Sequence, residues 1–129
     1  MEKIVMDKNK NKLIFIYNAD SSVFAQVSDA IKKIAAPNKY ECNLCMVTYG
    51  TVSMKDEWKE FLGTLLFEKE FLHRDEFREK YPESKEEKLP AIFVSKNNIL
   101  NLLISSEEIN RQRSVTDLKN IISAKIKLL

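Results

Sequence analysis

Cys42 and Cys45 are the residues whose chemistry and spacing invite a reaction, and they lie in the segment Asn38 to Gly50, NKYECNLCMVTYG. Side chains at i and i+3 share a face in a helical turn and point to opposite faces of a strand, so local conformation decides whether the two sulfurs meet. Cys-Met-Val-Thr-Tyr suits a strand, whereas Cys42 to Gly50 also suits a short helix closed by glycine; the helical turn is the preferred reading. On such a turn the pair can close a disulfide, and amides at the helix start favour the thiolate, which makes Cys42 the expected attacking thiol. Two small apolar residues packed beneath a helix would be written with the same letters. A structural zinc site needs four ligands, and the chain offers two thiols and one imidazole, His73. Asp20 or Asp75 would have to complete it, or two copies pool their cysteines, and no metal or cofactor is assigned.

A second group is polar. Leu13 to Tyr17 is an apolar run without alternation, the pattern of a central strand covered on both faces, and it breaks into Asn18-Ala19-Asp20-Ser21-Ser22. Asp20, Ser21 and Ser22 can accept hydrogen bonds from the free N–H groups of a helix starting near Val23, and ligands of α/β sheets gather at the ends of such strands. His73, Arg74 and Asp75 follow in a later run, His73 closing a strand expected over Glu68 to His73. The plainer reading of all these residues is helix caps and surface ion pairs.

The elements that must position them follow from periodicity. Val23, Phe24, Val27, Ala30, Ile31 and Ile34 recur at helical spacing until Pro37. Ser53 and Asp56 resemble a capping box, opening a helix whose apolar face is Met54, Trp58, Phe61, Leu62, Leu65 and Leu66, with Gly63 as a close-packing point. Asp75 is expected to cap a short helix, EFREKY, ended by Pro82, and the charged run Glu83 to Lys88 reads as a solvated loop. Leu89 to Val94 is an apolar strand with proline near its start, Lys96-Asn97-Asn98 a turn, and Ile99 to Ile104 the returning strand. Ser105 to Asn110 suggests one helical turn. Ser114, with Asp117 at the box position, opens a last helix carrying Leu118, Ile121, Ile122, Lys125 and Ile126 on one side. Met1 to Lys12 is a polar, basic lead-in with room for an edge strand.

At 129 residues the chain is expected to form one domain, 1–129, with a core of its own. Its 21 basic and 19 acidic residues nearly cancel, which disfavours nucleic acid and anionic membranes as partners. No apolar run approaches the ~18 residues of a membrane span, and the N-terminus carries charges where a signal peptide would be apolar. A cytoplasmic location is expected, and with it reduced cysteines as the starting state.

The order strand, helix, helical stretch, strand, helix, Leu-Pro strand, hairpin strand, helix resembles the thioredoxin and glutaredoxin fold. That resemblance implies an α/β three-layer sandwich: a mixed four-stranded sheet, with a helical insertion between the first helix and the second strand. Leu89-Pro90 resembles that fold's cis-proline loop. In that fold a catalytic Cys-x-x-Cys follows the first strand; here the position reads Asn18-Ala19-Asp20-Ser21-Ser22, so the usual motif is absent. The fold would also bring His73 and Arg74 to face Asp20, Ser21 and Ser22 near Pro90, a polar cleft for a small anionic or peptide ligand. The chain is further similar to an uncharacterised family of small bacterial proteins sharing Tyr17-Asn18-Ala19-Asp20-Ser21, Cys42-x-Leu44-Cys45, Trp58-Lys59-x-Phe61 and Phe71-Leu72-His73-Arg74-Asp75-x-Phe77. This second likeness adds to the fold expectation and brings no reaction.

Two functions are therefore expected. One is thiol–disulfide exchange or oxidation sensing through Cys42 and Cys45. The other is a non-enzymatic module that binds a protein or small molecule through Asp20, Ser21, Ser22, His73, Arg74 and Pro90, as a monomer or homodimer.

Overall fold

The computed structural model describes residues 11–21, 42–49 and 54–129. The helix expected from Val23, the lead-in strand, and Ser22, Gly50 and Ser53 lie outside the described residues. Within them the chain is mixed α/β, with one sheet of four strands in the order β2-β1-β3-β4. Strand β1 (Lys12–Ile16) runs parallel to β2 (Glu68–Leu72) and antiparallel to β3 (Ala91–Lys96), which is antiparallel to β4 (Ile99–Ile104).

The unalternating run behaves as its composition demands. Leu13, Ile14, Phe15 and Ile16 have no exposed surface. Leu13, Phe15 and Tyr17 join Ile92, Val94, Trp58, Leu118 and Ile122 on one face, while Ile14 and Ile16 join Leu72, Phe77, Ala91 and Phe93 on the other. The hairpin turns on Asn97 and Asn98, at φ 53° and 67°, the left-handed pair that a two-residue turn needs to match strand twist. The Leu89–Pro90 bond is cis, the isomer the fold resemblance implies.

Five α-helices lie among the described residues. Helix α1 (Asn43–Thr48) carries the cysteines; α2 (Asp56–Thr64) packs Trp58 and Leu62; α3 (Arg74–Lys80) buries Phe77; α4 (Ser106–Asn110) and α5 (Val115–Lys127) close the chain. Both C-terminal starts are capped as expected, Ser105 Oγ accepting from the Glu108 amide at 3.2 Å and Ser114 Oγ from the Asp117 amide at 3.1 Å.

Three expectations are corrected. The Ser53/Asp56 box does not open α2: Met54 is held extended by a bridge to Tyr49, the Lys55 amide donates to Thr48 O at 2.8 Å, and Lys55 is the cap residue. Leu66 is 94% exposed, because the chain turns extended at Leu65 and leaves the helical phase before reaching it. Gly63 is no close-packing point, since a Cβ built there meets nothing within 4 Å. Gly63→Ala should therefore stabilise the protein by about 0.5–1 kcal/mol through helix propensity alone, seen as a higher urea midpoint with an unchanged slope. A lower midpoint would mean that a neighbour fills the space.

Candidate functional site

The expected helical turn forms, and Cys42 is its N-cap. Its backbone is extended, and its Sγ accepts the Cys45 amide at 3.3 Å, the bond a serine or aspartate oxygen makes at ordinary helix starts. Asn43 anchors the turn, its Nδ2 donating to Ile109 O at 2.8 Å and Gln112 O at 2.9 Å at the end of α4. Thr48 Oγ1 returns to Leu44 O at 2.7 Å. Leu44 and Val47 enter the core beside both cysteines, which are not joined in a disulfide and have no exposed surface.

A second amide reaches the sulfur from across the fold: Asn18 N–H donates to Cys42 Sγ at 3.2 Å. Burial pushes the Cys42 thiol up. The Cys45 thiol donating to it, together with the amides of Asn18, Cys45 and Leu44, outweighs that cost, and Cys42 titrates below an ordinary cysteine. The two cysteines thus share one helical turn, with the Cys45 amide on the Cys42 sulfur.

Two phenols complete the surroundings. The Tyr17 and Tyr49 rings meet edge to face, 5.8 Å between centroids. Burial foremost, then Tyr49 and the neighbouring thiols, holds Tyr17 well above the ordinary phenol value, and burial also raises Tyr49. Both stay neutral hydroxyls at physiological pH. Neither was singled out as a site residue in the sequence. The available signal was that Tyr17 ends the buried run and Tyr49 ends the cysteine segment.

The polar residues converge as the fold resemblance implies, and they bind one another. Arg74 N–H donates to Ala19 O at 2.8 Å, and Arg74 Nε donates to Asp20 Oδ1 at 2.9 Å. Asp75 accepts the Ser21 amide at 3.0 Å and the Ser21 hydroxyl at 2.7 Å. These contacts latch the loop after β1 to the start of α3. The Arg74 bond holds the Asp20 carboxyl below its usual range; for Asp75, desolvation pushes up, and the bonds from Ser21 together with the amides of Glu76 and Asp75 outweigh it. The latch is therefore fully charged above the ordinary aspartate value of 3.8 and is lost as pH falls through the lowered ones.

Asp75 does not cap α3, contrary to expectation. The helix starts two residues earlier, at Arg74, with His73 as N-cap; the His73 amide donates to Glu76 Oε1 at 2.8 Å, leaving Asp75 to turn toward Ser21. His73 Nδ1 also lies 2.9 Å from Glu76 Oε1, and its ring is 5.8 Å from that of Tyr17. Pro90 is buried just before β3, at the end of the sheet where Ala91 pairs with Ile16. Among the described residues no group of three or more His, Cys, Asp or Glu could hold a metal ion.

From the sequence the cysteines are expected to follow a helix that runs away from the sheet end holding Asp20 and His73, and spacing alone does not bring His73 and the cysteines together. In the structure the polar loop touches Cys42 through Asn18, so the two candidate sites are neighbours at one sheet end. No family model, curated protein or solved structure matches the chain.

Proposed function

We propose that this chain is a cytoplasmic thioredoxin-like protein whose Cys42/Cys45 pair is oxidised reversibly to a disulfide, in redox sensing or in exchange with small disulfides. The observation that carries the reading is Cys42 Sγ, which accepts amides from Asn18 and Cys45 beside a second cysteine not joined to it in a disulfide. The strand order and the mixed strand directions support the fold assignment. The sulfur also stands at the end of β1, where thioredoxins carry their motif, although it arrives on a different element.

The chemistry balances with a hydroperoxide as oxidant. Cys42 thiolate attacks the terminal peroxide oxygen, the S–O bond forms as the O–O bond breaks, and the alkoxide leaves, taking up the proton the thiol released on ionising, to give a sulfenic acid and an alcohol. Cys45 then attacks the Cys42 sulfur; the S–S bond forms, and water leaves carrying the Cys45 proton. Two electrons pass to the peroxide, and an external dithiol returns them. A small disulfide can replace the peroxide, its thiol leaving in two successive exchanges. Complete burial of both sulfurs selects small oxidants over bulky ones.

That burial also favours a second reading, a binding module with a silent cysteine pair. Its contact surface would be the Asp20, Ser21 and Arg74 region beside Pro90, taking a protein or a small anionic ligand, with neither nucleic acid nor membrane as partner. Among the described residues no helix is long and apolar enough to cross a membrane.

One experiment separates the two. After treatment with a small hydroperoxide, the thiol count of the unfolded protein should fall by two per chain, without covalent dimers, and return fully with a dithiol reductant. Thiols that survive the oxidant would leave the binding reading alone.

A further inference from the structure

Resting on the redox reading, we infer that Arg74 and Asp75 are positioning residues for Cys42: they fix the loop that aims the Asn18 amide at its sulfur. The contacts form a continuous path. Asn18 N–H donates to Cys42 Sγ at 3.2 Å. The residues immediately following Asn18 are then held at three points: Ala19 O by the Arg74 amide at 2.8 Å, Asp20 Oδ1 by Arg74 Nε at 2.9 Å, and Ser21 by Asp75 through two bonds at 3.0 and 2.7 Å. Arg74 Nη1 also lies 3.5 Å from the Asn18 carboxamide oxygen, reaching the same residue that serves the thiol.

An amide is worth most to a thiolate when its direction is set before the charge appears. A five-residue stretch from Tyr17 to Ser21 would otherwise be free to turn its amides to water at this strand end. Tyr17 N–H is tied to Leu72 O at 2.9 Å, so the stretch is pinned at its start by β2 and at its finish by α3. Asn18 N–H is left pointing at the sulfur.

Of the titratable groups near Cys42, Cys45 lies on its own helix and Tyr17 approaches from the end of β1, with Tyr49 beside Cys45. Arg74 and Asp75 act on the sulfur through the Asn18 loop they hold.

The test is the ionisation of Cys42, read as the ultraviolet absorbance of its thiolate in a Cys45→Ser background, where a single thiol reports. Asp75→Ala and Arg74→Gln should each raise the thiol pKa by about half to one unit, as a charge-assisted bond loses part of its alignment. Asp75→Asn, which keeps an acceptor for Ser21, should return most of the way to the parent value. Arg74→Gln provides the reading should Asp75→Ala fail to fold. Glu76→Gln weakens the α3 start without touching the loop and should leave the thiol pKa unmoved; a general loosening of the helix would move it as much as the latch variants do. Unchanged ionisation in Asp75→Ala and Arg74→Gln, or a shift in Glu76→Gln equal to theirs, would overturn the inference. Inertness of the parent dithiol to hydroperoxide would instead sink the redox reading, while a latch-dependent pKa would still uphold the positioning role.

Discussion

Cys42→Ser should abolish disulfide formation, and Cys45→Ser should stop the proposed reaction halfway, leaving a sulfenic acid on Cys42 that dimedone would trap. The two thiols are adjacent but unequal. Cys42 receives the amides and the Cys45 hydrogen, so thiolate character concentrates there. Cys45 sits on the same helical turn, which suits the resolving role. Serine at position 42 should preserve the fold, since serine is among the best N-caps and its hydroxyl can accept the same two amides. A stability change within about 1 kcal/mol is expected, which separates lost chemistry from lost structure. Mass spectrometry after peroxide treatment reads both variants. A dimedone adduct on Cys45 of the Cys42→Ser protein, with none on Cys42 of Cys45→Ser, would reverse the assigned roles.

The fold was legible where a physical constraint acts along the chain. Five apolar residues in a row leave no polar face, and the strand Leu13 belongs to is buried on both sides. Two asparagines between apolar strands tolerate the left-handed backbone a tight turn demands, and both adopt it. The meeting of Cys42 and Cys45 followed from helical spacing once a turn was preferred over a strand. What escaped was decided by contacts between distant segments. Nothing local to Met54 announces its bridge to Tyr49, and that bridge is what displaces the expected cap of α2. Asp75 is a good cap by type, yet Ser21, 54 residues away, takes both of its oxygens. The Asn18 amide was invisible for a simpler reason: every residue but proline carries one, so no residue type marks it as a thiol's partner.

Phe15→Ala should cost about 3–5 kcal/mol, a large fraction of the roughly 5–15 kcal/mol that holds a domain of this size together. Phe15 has no exposed surface and stands in the middle of β1, paired with Phe71 on one neighbour and Ile92 on the other. Its ring stacks on Phe71 at 4.8 Å and meets Trp58 edge-on at 5.9 Å. Truncation would remove the transfer free energy of the ring, open a cavity between sheet and α2, and forfeit two aromatic contacts, each worth about 0.5–1.5 kcal/mol. Leu66→Ala is the contrasting control: at 94% exposure it should change stability by no more than about 0.5 kcal/mol. Urea unfolding followed by the emission of buried Trp58 measures both. Equal effects of the two substitutions would contradict burial of β1 on both faces. The consequence reaches the thiols as well, because the strand that Phe15 locks into the core is the one whose end presents Asn18 to Cys42, and a strand free to shift would carry that amide off the sulfur.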